Sequence, residues 1–139
     1  MDSDVERITH SPIDEKAVLV EVADPGAGAT LTFAGVVRNN HLGQVVQGID
    51  YHGYQPMAAK EILKIEAEAR ERWPGVKAVI VHRIGLLGIG EVSVLIAVSS
   101  AHREEGFQAL RYSIDTLKQR VPIWKKEIYT DGEAWIEGS

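Results

Sequence analysis

Residues 91–121, EVSVLIAVSSAHREEGFQALRYSIDTLKQRV, contain the two segments that decide the fold. In the first, 91–100, apolar side chains fall on both faces of an extended chain, as in a central strand that is covered on both sides. In the second, apolar residues recur at spacings of three and four, the pattern of a helix with one buried face. They are Phe107, Leu110, Ile114, Leu117 and Val121. This pairing predicts a sheet with the helix packed on it.

The remaining segments predict more strands and one more long helix. Strands are expected at 17–22, 30–38, 44–54, 76–85 and 123–129. A helix is expected at 57–72, because Pro56 suits a first helical turn and Trp-Pro-Gly at 73–75 stops a helix. The segments 86–90 and 130–139 are expected to be a loop and a turn with a tail. The sequence therefore predicts an α+β fold, a mostly antiparallel sheet with two main helices on one side.

Length and composition are those of one globular domain. The chain has 139 residues, 45% of them hydrophobic and 25% charged, so we expect a single domain over residues 1–139. Residues 1–16 are acidic and polar and are expected to be flexible or loosely packed. They lack the basic and apolar regions of a signal peptide, and no apolar run is long enough to span a membrane. A cytoplasmic location is expected.

Charge and residue types exclude several kinds of site. The net charge is −5, which argues against nucleic-acid or anionic-membrane binding, so any anion must be held by a local basic cluster. The chain has no cysteine, which excludes disulfides, thiolate metal ligands and a cysteine nucleophile. The five histidines are scattered without metal-ligand spacing. No metal and no cofactor is expected.

One basic cluster lies in the stretch 117–127, LKQRVPIWKKE, where the helix ends. Cations at a helix C-terminus interact favourably with its dipole, by about 0.3–1 kcal/mol each. This accounts for Lys118 and Arg120, but not for Lys125 and Lys126 beyond the proline. Strand alternation sends these two lysines to opposite faces. Lys125 is the better partner for Lys118, and Arg120 and Lys126 are expected to be solvated.

Two further basic candidates lie elsewhere in the sequence. His102 and Arg103 stand at the start of the second helix, where free backbone N–H groups and the helix dipole attract anions. Arg38 ends a strand and is followed by a polar loop that includes His41. The alternative interpretations are an exposed polar turn and a hydrophilic strand end. The residues alone thus indicate an acidic α+β domain with basic candidates for binding a phosphorylated small molecule.

Several segments, taken in order, resemble the large, catalytic subunit of molybdopterin synthase. The resemblance runs from about Phe33 to Trp135 and is most specific in SAHRE followed by LK…PIWKKE. The segments are FAGVVRNNHLG (33–43), YHGYQPMA (51–58), VHRIG (81–85), GEVSV (90–94), SSAHREEGF (99–107), IDTLKQRVPIWKKE (114–127) and DGEAW (131–135).

The resemblance implies a sulfurtransferase of molybdenum cofactor biosynthesis. That family converts cyclic pyranopterin monophosphate (precursor Z) to molybdopterin by adding the two sulfurs of the dithiolene. The sulfur arrives as a thiocarboxylate on the C-terminal Gly-Gly of a small ubiquitin-like partner. The large subunit forms a homodimer, and a small subunit at each end completes a heterotetramer. The implied fold is an α/β hammerhead with an added antiparallel subdomain.

Motif positions carry the family's functional residues onto this chain. Lys118 and Lys125 match its catalytic lysines, while Arg38, His102 and Arg103 match residues that bind the substrate's anionic group. Gly106 stands where alanine is common, which is expected to loosen the first turn of the helix. The alternative to the enzyme is a non-catalytic module that binds a phosphorylated ligand or serves in assembly.

Overall fold

Residues 5–136, the part of the chain that this computed structural model describes, form two sheets and three helices. The helices are α1 (Glu15–Val22), α2 (Gln55–Arg72) and α3 (Arg103–Arg120). The strands are β1 (Ile8–Thr9), β2 (Ala29–Val36), β3 (Asn40–His41), β4 (Gln44–Gly53), β5 (Lys77–Arg83), β6 (Gly85–Gly88), β7 (Val92–Ser100), β8 (Ile123–Tyr129) and β9 (Gly132–Ile136). Within the described residues, no helix is long and apolar enough to cross a membrane.

The first sheet has the order β1-β5-β7-β2, and its only parallel pair among the described strands is β1 with β5. The strand β7 is buried on both faces, as the sequence predicted. Val94, Ile96 and Val98 belong to the core under α2 and α3, whereas Leu95 and Ala97 belong to a second core under α1. The predicted α+β fold with a mostly antiparallel sheet is confirmed.

The second sheet has the order β3-β4-β8-β9, and β6 pairs with β4 as well. Two of its strands contradict the sequence prediction, which gave a loop at 86–90 and a turn with a tail at 130–139. Gly85–Gly88 forms β6, and Gly132–Ile136 forms β9. Both are short and are held by backbone pairing to β4 and β8. Pairing of this kind is a tertiary effect that a local pattern does not reveal.

The segment predicted as a strand at 17–22 is instead the helix α1, Glu15–Val22. Asp14 caps it, since its carboxylate accepts a hydrogen bond from the backbone N–H of Ala17 at 3.1 Å. Val18 and Val22, one helical turn apart, are fully buried against β5 and β7. The run AVLVEV (17–22) has no clear hydrophobic period that would distinguish a strand from a helix. The Asp14 cap and the i,i+4 pair of buried valines favour the helix.

The expectation of a loose N-terminus over residues 1–16 is corrected for residues 5–16; residues 1–4 lie outside the described part. Ile8–Thr9 pairs with β5. Arg7 is buried and forms a two-pronged ion pair with Glu66 of α2, at 2.8 Å for both contacts. Glu66 also accepts a hydrogen bond from the backbone N–H of Ile80 at 2.9 Å. One buried carboxylate therefore joins the N-terminal segment, α2 and β5.

Helix α3 packs on the sheet through smaller residues than the sequence predicted. Leu117 is buried as expected, but Phe107 is 60% exposed and is not part of the core. A close contact to the sheet is made at Gly106, where a Cβ atom would lie 2.6 Å from Leu31 and 2.7 Å from the Ser100 hydroxyl. Gly106 therefore permits a close approach of α3 to β2 and β7, rather than loosening the helix.

His82 of β5 lies in the core, stacked edge-on against Tyr51 with 5.1 Å between ring centres. Its Nδ1 donates to the carbonyl of Arg83 at 2.8 Å. Burial lowers the pKa of His82 from 6.5 to about 4. The neutral ring is thus part of the folded core.

We expect Glu66→Ala to lower the free energy of unfolding by about 3–5 kcal/mol, because it leaves Arg7 charged and buried without its carboxylate. Glu61→Ala on the same helix removes only partly exposed ion pairs with Lys64 and Arg120, and we expect a loss of at most about 1 kcal/mol. Urea unfolding of both variants measures the difference. Equal losses would contradict a dominant role for the buried pair.

We expect the stability of the protein to fall between pH 6.5 and pH 4 partly through His82. In that interval the unfolded chain binds a proton at His82 that the folded protein does not, a contribution of up to about 3 kcal/mol. His82→Asn, which keeps a donor for the Arg83 carbonyl, should therefore show a flatter dependence of unfolding free energy on pH. Parallel pH curves for the variant and the parent would refute this assignment.

Candidate active site

A cavity of about 160 Å³ opens where β2, β4, β7 and β8 meet the C-terminal end of α3. The chain contributes both apolar and charged side chains to its wall. The lining residues are Phe33, Gly35, Val36, Arg38, His41, Ile49, Tyr51, Ser93, Val94, Lys118, Lys125, Glu127 and Ile136. Three of the five residues predicted for the site, Arg38, Lys118 and Lys125, are among them.

The sequence around Pro122 brings the two lysines to one cavity. The backbone N–H of Val121 still bonds to the carbonyl of Leu117, and helix α3 then stops. The chain turns within two residues and enters β8 at Ile123. Lys118 therefore lies in the last turn of α3, while Lys125 lies on β8, the next strand, opposite Tyr51 of β4. The structure thus brings Lys118 and Lys125 to the wall of one cavity.

Lys118 has an altered acidity in this setting. Its side chain reaches solvent through the cavity, yet protein atoms surround much of it. Partial burial lowers the pKa of Lys118, and the positive charge of Lys125 lowers that pKa further. Two like charges sharing a partly desolvated cavity are unfavourable unless an anion lies between them. The arrangement is thus suited to binding an anion and to giving up a proton more readily than an ordinary lysine.

The other two basic residues of the 117–127 stretch lie outside the cavity. Lys126 is on the opposite face of β8, 3.3 Å from Glu133 and over the ring of Trp135. Arg120 is exposed, as expected, and it also bonds to Glu61 and Glu68 of α2. It therefore ties α3 to α2.

Glu127 is a site residue that the sequence reasoning missed. It is 5% exposed, and its Oε1 accepts hydrogen bonds from Tyr129 at 2.6 Å and from Nδ1 of His41 at 2.5 Å. Burial raises the pKa of Glu127, but these hydrogen bonds and the charge of Lys125 outweigh burial, so the pKa lies below its ordinary value. Alternation along β8, which puts Lys125 and Glu127 on one face, was the available signal.

Tyr51 forms part of the cavity wall above His82. Burial raises the pKa of Tyr51, and the charge of Glu127 adds to that rise although a hydrogen bond with Ser93 opposes it. The phenol therefore stays protonated and neutral. The cavity thus combines cations and a tethered carboxylate with a neutral hydroxyl donor.

His102 and Arg103 do not line this cavity. His102 is the N-cap of α3, where its backbone N–H donates to Glu105 at 3.4 Å, and both side chains are exposed. Fifteen residues separate Arg103 from Lys118 along the helix, which is about 22 Å at 1.5 Å per residue. The two groups of predicted site residues thus lie at opposite ends of α3.

Other parts of the described surface have fewer groups suited to catalysis or to binding a ligand. A wider depression of about 680 Å³ between Arg7 and Gln55 has Arg7 as its one cation, and that residue is engaged with Glu66. Among residues 5–136, no group of three or more His, Asp or Glu side chains is arranged to hold a metal ion.

Comparison with known proteins places the chain in one family. The family model described as "MoaE protein" matches residues 8–120. The chain is 47% identical over 129 residues to the molybdopterin synthase catalytic subunit of Bacillus subtilis, covering 93% of this chain and 82% of that protein. It is 46% identical over 123 residues to the Homo sapiens protein of the same name, covering 88% of this chain and 64% of that protein.

Solved structures agree with this assignment. The crystal structure of molybdopterin synthase from Staphylococcus aureus superposes with a TM-score of 0.91 at 42% identity, over 94% of this chain and 95% of that one. A complex of subunits 1 and 2 of molybdopterin-converting factor from Helicobacter pylori shares the fold. Its TM-score is 0.77 at 23% identity, over 94% of this chain and 89% of that one. The chain belongs to the MoaE family, the family of molybdopterin synthase catalytic subunits.

Proposed function

We propose that this chain transfers sulfur to precursor Z from the thiocarboxylated C-terminus of a small ubiquitin-like subunit, and that Lys118 and Lys125 carry the reaction. The observation that supports this most directly is the meeting of Lys118, Lys125 and Arg38 in one cavity. They come from a helix, a strand and a loop. A substrate phosphate and a thiocarboxylate are both anions, and the cavity gathers cations in a chain of net charge −5.

Lys118 is the residue best placed for proton transfer. Its lowered pKa brings it closer to the range in which an amine exchanges protons near neutral pH. In its charged form the same group stabilises the negative charge that develops as sulfur adds to the pterin side chain. Lys125 keeps the pKa of Lys118 low and offers a second cation to the same anion. Arg38 suits the phosphate, since a guanidinium binds phosphate oxygens through two parallel hydrogen bonds.

The sulfur donor must come from another chain, because this one has no cysteine to carry sulfur. The Helicobacter pylori structure is a complex of two subunits of a molybdopterin-converting factor. By analogy we assign this chain a small partner subunit whose C-terminal tail enters the cavity. Phe33, Val36 and Ile136 provide apolar walls for such a tail.

His102 and Arg103 take part in this proposal through a second copy of the chain. Within one chain they lie about 22 Å from Lys118, too far to hold the same small anion. The cavity of one chain, about 160 Å³, is also below the roughly 300–1,000 Å³ of ordinary small-molecule sites. In a homodimer, the His102 and Arg103 of one copy would complete the anion site beside the Lys118 of the other.

We expect Lys118→Ala to reduce dithiolene formation by at least about 100-fold while the small subunit still binds, since removal of a proton-transfer group costs about that much. Lys126→Ala is the matched control, because the neighbouring lysine of β8 faces away from the cavity and pairs with Glu133. Single-turnover conversion of precursor Z with thiocarboxylated partner measures both variants. Near-normal conversion by Lys118→Ala would refute the assignment and favour a non-catalytic binding module.

We expect a Lys118→Ala chain and a His102→Ala/Arg103→Ala chain to be inactive alone and to regain activity when mixed and allowed to exchange subunits. One of the two pockets in each mixed dimer would then be intact, so an equal mixture should reach about a quarter of the parent activity. Conversion of precursor Z by the mixture, compared with each variant alone, measures this. Lack of recovery despite subunit exchange, shown by a size tag on one variant, would contradict a shared pocket.

A further inference from the structure

His41 and Glu127 form a histidine–carboxylate pair in the wall of the cavity, and the proposed roles of Lys118 and Lys125 use neither of them. The two residues come from separate strands, His41 from the short β3 and Glu127 from β8. Nδ1 of His41 lies 2.5 Å from Oε1 of Glu127, and the Tyr129 hydroxyl donates to the same oxygen at 2.6 Å. The carboxylate is thus held from two sides.

The ionised state of Glu127 decides which nitrogen of His41 carries the proton. Burial raises the pKa of Glu127, but its two hydrogen bonds and the charge of Lys125 outweigh burial, so the pKa lies below its ordinary value. The carboxylate can therefore only accept hydrogen bonds, and Nδ1 of His41 must be the donor. In the neutral ring this leaves a lone pair on Nε2. Among the described residues Nε2 has no hydrogen-bond partner, and the His41 side chain is 24% exposed.

The hairpin that carries His41 is tightly constrained. His41 pairs with Gln44 across the two-residue turn Leu42-Gly43. Both turn residues have positive φ, +52° for Leu42 and +82° for Gly43, and a leucine rarely adopts this left-handed conformation. Backbone strain of this kind is concentrated at functional sites, where the surrounding structure maintains it. The turn fixes the register of β3 on β4, and with it the position of His41 beside Glu127.

The proposed sulfur transfer includes a hydrolysis that needs a base. When the thiocarboxylate sulfur of the small subunit bonds to the substrate, it is joined both to a substrate carbon and to the subunit's terminal carbonyl, which makes a thioester. The sulfur stays on the substrate only if water cleaves its bond to the carbonyl carbon. Charged Lys118 and Lys125 can stabilise the oxyanion of this cleavage. An ammonium group has no lone pair, however, and cannot take a proton from the water.

We propose that His41 is the general base of this hydrolysis and that Glu127 is the residue that positions it. Nε2 takes one proton from water while the water oxygen bonds to the carbonyl carbon, and Glu127 stabilises the charged ring through Nδ1–H. The carbon–sulfur bond of the acyl group then breaks, its electron pair stays on the sulfur, and His41 returns the proton to that sulfur. The products are the subunit's C-terminal carboxylic acid and a thiol on the substrate. This role rests on the proposed function, which supplies the thioester.

His41→Asn tests the role of the base, because the amide keeps a donor for Glu127 but has no basic nitrogen. In a single turnover of precursor Z with thiocarboxylated small subunit, sulfur addition should proceed, whereas hydrolysis should be at least about 100-fold slower than in the parent. A covalent adduct of the small subunit and the pterin should therefore accumulate. Intact-protein mass spectrometry of acid-quenched samples measures the adduct over time.

Two further variants separate this role from a structural one. Alternation along β4 puts Tyr51 in the cavity wall and His52 on the opposite face, against Trp135. His52→Asn is therefore the matched control and should hydrolyse the thioester at the parent rate. Glu127→Gln still accepts from His41 but has no charge to stabilise the protonated ring. It should slow hydrolysis and leave sulfur addition unchanged, an effect on one step that a general loss of structure would not give.

Hydrolysis at the parent rate in His41→Asn, without an accumulated adduct, would overturn the assignment of the base. Slow sulfur addition without an adduct would also overturn it, and would leave His41 as a structural partner of Glu127. Failure of the proposed function gives a different result, because the parent pair would then form neither adduct nor dithiolene. A parent pair that forms dithiolene at full rate while His41→Asn shows no adduct refutes the role of His41 alone.

Discussion

The fixed position of α3 along β7 and β2 is the constraint on which the rest of the structure depends. Small residues on the inner face of the helix, Gly106 and Ala109 among them, let its backbone lie close to the sheet, and Leu117 anchors its far end in the core. Full burial of a leucine side chain contributes about 1.5–3 kcal/mol. This close packing positions the residues at the two ends of the helix relative to the strands, and a binding site requires such fixed positions.

The cavity itself depends on opposing electrostatic effects. Lys118 and Lys125 repel each other in a partly desolvated space. Arg38 adds a third cation to the lining, against the one carboxylate of Glu127, whose Oε1 accepts hydrogen bonds from His41 and Tyr129. The free cavity therefore keeps an excess of positive charge, which a bound anion would relieve. Electrostatic repulsion that is present without ligand and absent with it increases selectivity for anionic substrates.

Much of the fold was predictable from local pattern, and the exceptions have physical causes. The strands β7 and β8 and the helices α2 and α3 have clear hydrophobic periods or terminal signals, and they were predicted correctly. The strands β6 and β9 lack such a local signal, because they form by pairing with strands that are distant in the sequence. The convergence of Lys118 and Lys125 follows from the proline turn and strand alternation. The distance of His102 from them depends on the length and orientation of a whole helix, and Glu127 was missed because its environment forms only on folding.

Helix α3 also has a consequence for how two pockets of a dimer would behave. Its first residues would serve the partner's pocket, while its last turn serves its own. A rigid helix that contributes residues to two sites transmits displacement between them. A ligand that shifts α3 in one copy would therefore move the basic side chains at the site of the other copy. In the proposed homodimer, the two copies of α3 would thus couple the two active sites, and ligand binding at one site would change the affinity of the other.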